Sequence, residues 1–244
     1  MSPSLPPEIL DIIVNQLRDE PTALKACCVV SKSWIHRTRT HLFARVEFRA
    51  PNSRIELWKK TFPDPSNSPA CHTRSLSICG LSVTTAEDAD TSDWIRTFHN
   101  LVYMRLDCTA VDRQVTLTPF HGLSPTLRSL SLRAISLEVL DLICSFPLLE
   151  DLALILPHCG SEVWNTPSTS PKLTGSLELR AVGDIRPAVR RLLGLPGGLH
   201  FTKVTIAVST RTSGQQWIWF RGVLIPSNLS ACVITSRVCL LQLL

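Results

Sequence analysis

Apolar side chains at Ile9, Leu10, Ile13, Val14 and Leu17 fall on one side of a helix. At 100° per residue they span an arc of about 140°. Pro6 and Pro7 suit the start of that helix, where a missing N–H has no helical partner and φ is already set. Glu8 and Asp11 place negative charge near its positive end. Arg18-Asp19-Glu20 breaks the pattern, and Pro21 closes it. Thr22 can cap a second helix carrying Leu24, Cys27 and Cys28. Ser31 or Ser33 can cap a third, with Trp34, Ile35 and Leu42 on its apolar side. Three helices of about ten residues each form a unit too small to bury all these side chains alone. Part of that apolar face must meet something else.

Residues 49–72 read as a connector, with Ile55, Leu57, Trp58 and Phe62 on one packed helix and a Pro/Ser-rich loop from Pro63 to Pro69. Beyond it, short segments ending in apolar-x-apolar recur: TRSLSI, LVYMRL, TLRSLSL, LLEDLAL, LTGSLEL and FTKVTI. The first residue of each final pair is at 76, 104, 130, 152, 177 and 204, giving intervals of 28, 26, 22, 25 and 27. Those intervals lie in the range of leucine-rich repeats. Helical faces fall between the strands: Trp94, Ile95 and Phe98; then Val139, Leu140, Ile143 and Phe146, ended by Pro147; then Ile185, Val189, Leu192 and Leu193, stopped by Gly194. One strand and one helix per unit predict a right-handed solenoid. A β-sandwich is the competing arrangement, and the amphipathic helices argue against it. From Val223 to Leu244 the chain is apolar, without a charged helix to close the stack. The expectation there is a poorly defined tail and a solenoid truncated at its C-terminus.

The first helices carry a resemblance. Leu5-Pro6-x-Glu8-Ile9-Leu10, Ile13, Leu17, Leu24, Cys27, Val29-Val30-Ser31-Lys32 and Trp34 resemble an F-box from end to end. Cys27 departs from the pattern, since a larger aliphatic side chain is common at that place. The repeats, above all HGLSPTLRSLSL at 121–132, are similar to the degenerate leucine-rich repeats that follow the F-box in many fungal proteins. The resemblance implies an α/β (α+β) chain: a three-helix F-box over 1–48, the connector 49–72, an irregular leucine-rich-repeat solenoid over 73–222, and the tail 223–244. It further implies a non-catalytic subunit of a Skp/cullin/F-box ubiquitin ligase. In that role Leu5, Pro6, Ile9, Leu10, Ile13, Leu17, Leu24, Cys27, Val30 and Trp34 bind a Skp-family adaptor, and through it a cullin, while the repeats bind a protein target. A Skp-binding scaffold outside the ligase is the alternative, and an unrecognised hydrolase a more remote one.

Composition narrows the field further. With 44% hydrophobic and 18% charged residues, a buried core is within reach and general disorder is not expected. A net charge of +5 is spread along the chain without a Lys/Arg block interleaved with aromatics, so nucleic acid is not an expected partner. The apolar run after Val223 is interrupted by Pro226, Asn228 and Arg237, so neither is a membrane. The nine cysteines make no C-x-x-C pair, and no secretory leader opens the chain; reduced, packed thiols in the cytoplasm or nucleus follow. Phosphate-loop, dinucleotide and nucleophile-elbow motifs are missing, so no cofactor and no active site are expected. Cys71-His72 and His158-Cys159 read as core thiols beside surface imidazoles, and Glu87-Asp88-x-Asp90 as a solvated helix start rather than a calcium loop. Ser77, Arg105, Ser131, Glu178 and Thr205 are expected on the solvent side of the strands, with no common recognition chemistry among them.

Overall fold

A computed structural model describes residues 6–49, 53–80, 89–108, 117–133, 139–156, 173–182, 189–190, 192, 194–195, 200–209 and 231–236. Helix α1 (Pro7–Gln16) starts where the prolines place it, with Pro6 at the N-cap at φ −54 and ψ 143. Helix α2 (Pro21–Val30) is opened by Pro21 rather than preceded by it as a stop. Proline at the first helical position needs no N–H partner, so Glu20 is the N-cap and Thr22 lies inside the helix. Helix α3 (Lys32–Leu42) is capped by Ser31, whose hydroxyl accepts from the Ser33 N–H at 3.4 Å. Leu10, Val14, Leu24 and Cys27 are buried where the helices meet. Thr38 is fully buried beside them; its hydroxyl donates to the Trp34 carbonyl at 2.8 Å and lies 2.9 Å from the Cys28 sulfur. Arg37 of α3 pairs with Asp11 of α1.

The sheet begins earlier and reaches further than the apolar pattern predicts. Its strands are β1 (Arg45–Arg49), β2 (Ser75–Cys79), β3 (Tyr103–Asp107), β4 (Ser129–Arg133), β5 (Asp151–Leu156), β6 (Ser176–Val182), β7 (Lys203–Ser209) and β8 (Ala231–Ser236). They lie side by side in sequence order, and each neighbouring pair is parallel. Leu76, Met104, Leu130, Leu152, Leu177 and Val204, the residues that mark the sequence intervals, pair directly with one another. Val46 and Cys232 extend that row on either side. Neither strand was expected: β1 spans the boundary between the segments assigned to the helical unit and the connector, and β8 falls within the segment assigned to the tail.

Between strands lie α4 (Ser53–Thr61), α5 (Ala89–Arg96) and α6 (Val139–Cys144). Ile95, Phe98, Val139, Leu142, Ile143 and Phe146 are buried in one core with alternate strand residues such as Leu76, Leu106, Leu132 and Leu154. The intervening strand positions are polar or half-buried, so the helices cover one face of the sheet. Trp58 of α4 fastens the helical unit to this core. Its ring centroid lies 5.8 Å from Phe43, 5.6 Å from Phe48, 4.9 Å from Phe62 and 5.8 Å from Phe98. Entry to each strand repeats one hydrogen-bond device: Val102 N–H to the Arg74 carbonyl, Arg128 to Val102 and Glu150 to Arg128, at 2.8–2.9 Å.

The expected fold class is corrected by this arrangement. The finding is an all-parallel α/β sheet with helices, not a three-helix F-box followed by a leucine-rich-repeat solenoid. The strand intervals are those of strands laid in sequence order, and they do not fix what connects them. Among the described residues the connections differ. Helix α5 has eight residues and α6 six, while the connection from β3 to β4 contains the three-residue 3-10 turn Thr118–Phe120. A uniform strand-and-helix unit is therefore not shown, and the three N-terminal helices by themselves do not mark an F-box.

Candidate docking surface on the N-terminal helices

Burial along α1 follows angle around the helix. Leu10 and Val14 are 5% and 1% exposed, and Ile13 and Leu17 are half-buried. Ile9 is 43% and Ile12 57% exposed. At 100° per residue, Ile9 and Ile12 sit at the same edge of the apolar arc, about 100° or more from Leu10 and beyond the reach of the packed side. On α2 the contrast is larger. Leu24 and Cys27 are buried, whereas Val29 and Val30 are 87% and 71% exposed. Pro6 is exposed at the head of α1, and Trp34 of α3 is half-buried. Leu5 lies outside the described residues.

The residues expected to touch an adaptor therefore divide into two groups. Leu10, Leu24 and Cys27 form the inside of the helical unit, and Ile13, Leu17 and Trp34 lie at its margin. Pro6, Ile9 and Val30 face outward. Ile12 and Val29 join that outward group. Ile12 was missed because it falls off the arc that organises α1, so periodicity hides it. A β-branched residue on the polar side of a helix, as at Val29, is the signal that could have found both.

The other sequence candidates separate in space. Cys71 and His72 end the 3-10 turn Pro69–His72, and the His72 ring stacks edge-on against His36 of α3 at 5.6 Å. Burial, with His36 and Arg39 nearby, holds the His72 imidazole below its ordinary range. Burial pushes the Cys108 thiol up to about 12 and the Cys144 thiol up to about 11, so both are protonated and poor nucleophiles at neutral pH. His158, Cys159, Glu87 and Asp88 lie outside the described residues, and Asp90 is within α5. Among the described residues no three His, Cys, Asp or Glu side chains gather as a metal site, and no helix is long and apolar enough to cross a membrane.

No family model matches the chain, and no curated protein matches it.

Proposed function

We propose that the chain is a substrate-recruiting subunit of a Skp/cullin/F-box ubiquitin ligase. Its N-terminal helices dock on a Skp-family adaptor, and the polar face of the sheet receives a protein target. Catalysis then belongs to other subunits. The observation that carries this reading is the pair Val29 and Val30, 87% and 71% exposed at the end of α2. Side chains of this kind on a short helix serve as anchors when a partner removes them from water. Ile9 and Ile12 supply a second apolar flank on α1, beside Pro6. The resemblance of residues 5–34 to an F-box names the partner.

The test is co-purification of the full chain with a Skp adaptor and a cullin, alongside the variant Val29→Asp/Val30→Asp. The reading expects both partners with the native chain, and loss of both with the variant while its circular dichroism is unchanged. Recovery of the adaptor without a cullin supports a scaffold outside the ligase. Recovery of neither with the native chain overturns the proposal.

A further inference from the structure

The face of the sheet turned away from the core carries charge in pairs, and the two signs are not equally placed. Arg49 and Glu47 meet at 2.9 Å on β1, and Arg180 and Glu178 at 2.5 Å on β6. Between them, Asp107 of β3 is shared by Arg105, at 4.0 Å, and Arg133 of β4, at 3.7 Å. Strand pairing puts Arg49, Cys79, Asp107, Arg133, Ile155 and Arg180 in a single row across six strands.

In each group the cation stands further into solvent than its acid. Side-chain exposure is 65% for Arg49 against 43% for Glu47, and 59% for Arg180 against 38% for Glu178. Arg105 and Arg133 are 47% and 45% exposed over an Asp107 that is only 11% exposed. The guanidinium groups are thus the more exposed members of each group. Moreover, one carboxylate serves two arginines at distances beyond a hydrogen bond, so this group carries one more positive than negative charge. A parallel sheet is ordinarily covered on both faces; here the polar face alternates with the buried one instead.

We infer that this row binds an extended acidic peptide segment of the target, running across the strands from β3 to β6. One carboxylate sits over Arg105 and Arg133, and a second over Arg180. Two strand steps of about 4.8 Å separate β4 from β6, roughly 10 Å in all. That is about three residues of extended chain at 3.3 Å each. The segment therefore carries acidic residues three apart. The row's intervening Ile155 and, one step nearer the strand start, Ala153 give the residues between them a less polar surface. This inference rests on the reading that the polar sheet face receives a target, and it gives that target its chemistry.

The test is fluorescence anisotropy with the full chain and a labelled twelve-residue probe of Ser and Gly with Asp at every third position. A probe with Lys in place of Asp and a single-stranded oligonucleotide serve as rivals. The acidic probe is expected to bind, to weaken about tenfold from low to moderate salt as exposed charges are screened, and to weaken at least about fivefold in Arg105→Gln/Arg133→Gln. Because that variant strips a buried carboxylate of both partners, Arg180→Gln is measured too, where Glu178 is part-exposed and folding is spared; a loss of about threefold is expected. Equal binding of the Lys probe, tighter binding of the oligonucleotide, or unchanged affinity in Arg180→Gln overturns the inference. Adaptor co-purification run in parallel separates the two proposals. Acidic-probe binding without adaptor defeats only the ligase reading, and adaptor binding without the probe defeats only this one.

Discussion

The helical unit and the sheet treat their apolar residues in opposite ways. In the sheet the row Leu76, Met104, Leu130, Leu152, Leu177 is at most 1% exposed, and so are Phe120, Phe146 and Leu149 beneath it. In α1 and α2 only Leu10, Val14, Leu24 and Cys27 are buried, while four of their large aliphatic side chains, Ile9, Ile12, Val29 and Val30, remain substantially in water. The difference follows from size. Strands laid in parallel let each apolar residue contact two neighbours and a helix. Three short helices enclose little volume, so one stripe of each is used and the rest is left outward. Where burial is complete, side chains explain stability. Where it is incomplete, they point to a partner.

The sharpest way to break this contrast is to empty the sheet core. Phe146→Ala removes a fully buried ring and should cost about 3–5 kcal/mol, read as a shift in the urea midpoint of the full chain. A cost below about 1 kcal/mol means the core is looser than described. Next in size is Gly175, ahead of β6. A methyl group there meets Asp151 Oδ1 at 2.5 Å and the Glu150 carbonyl at 2.9 Å. That same Oδ1 accepts from the Ser176 N–H at 2.7 Å and hydroxyl at 2.6 Å, so it cannot retreat without loss. Gly175→Ala should cost about 1–3 kcal/mol, measured the same way.

A smaller effect belongs to the seam between the two regions. His72 is held below its ordinary range by burial and by His36 and Arg39. A folded value below the unfolded one means folding favours the neutral ring. The contribution is complete above about pH 6.5 and declines as pH falls through that value toward the folded one. The midpoint should drop from pH 7 to pH 5, and His72→Gln should flatten that drop. An unaltered slope in the variant removes His72 from the seam. The smallest expected effect is the most discriminating. Ile12→Ser on α1 should change stability by no more than about 0.5 kcal/mol, as for other exposed positions. A loss above about 2 kcal/mol shows that Ile12 is packed.

How far the chain can be read before it folds differs between the same two regions. The strand anchors were legible, because an apolar-x-apolar pair on a half-buried strand is a local signal, and Leu76 through Val204 align as the intervals require. What joins the strands was not, since a crossover depends on packing against neighbours rather than on spacing; hence the solenoid was expected and an α/β sheet with unlike connections is found. Strand β1 was hidden because Val46 and Phe48 alternate with Arg45, Glu47 and Arg49 in a short charged stretch next to a helix. In the helical unit the elements were legible and the caps less so: Pro21 outweighs Thr22 as a start signal. Which residues the helical unit turns outward was legible only in part. Periodicity selects the buried side of a helix, so it picks out Leu10 and Leu24 and passes over Ile12; Val29 stands in the quoted motif but outside the expected contact residues, and its exposure sets it beside Val30. Arg105 and Glu178 were legible as solvent-side strand positions, but the meeting of Asp107 with Arg133 was not, since it depends on strand register.

In the proposed complex the helical unit's outward apolar residues form the adaptor contact while the sheet core stands apart from it. Amide hydrogen exchange of the full chain, alone and with a Skp adaptor, tests it directly. New protection is expected within Pro7–Gln16 and Pro21–Val30, with unchanged exchange in strands β2 to β5. Protection that appears in those strands while both helices exchange as before contradicts it.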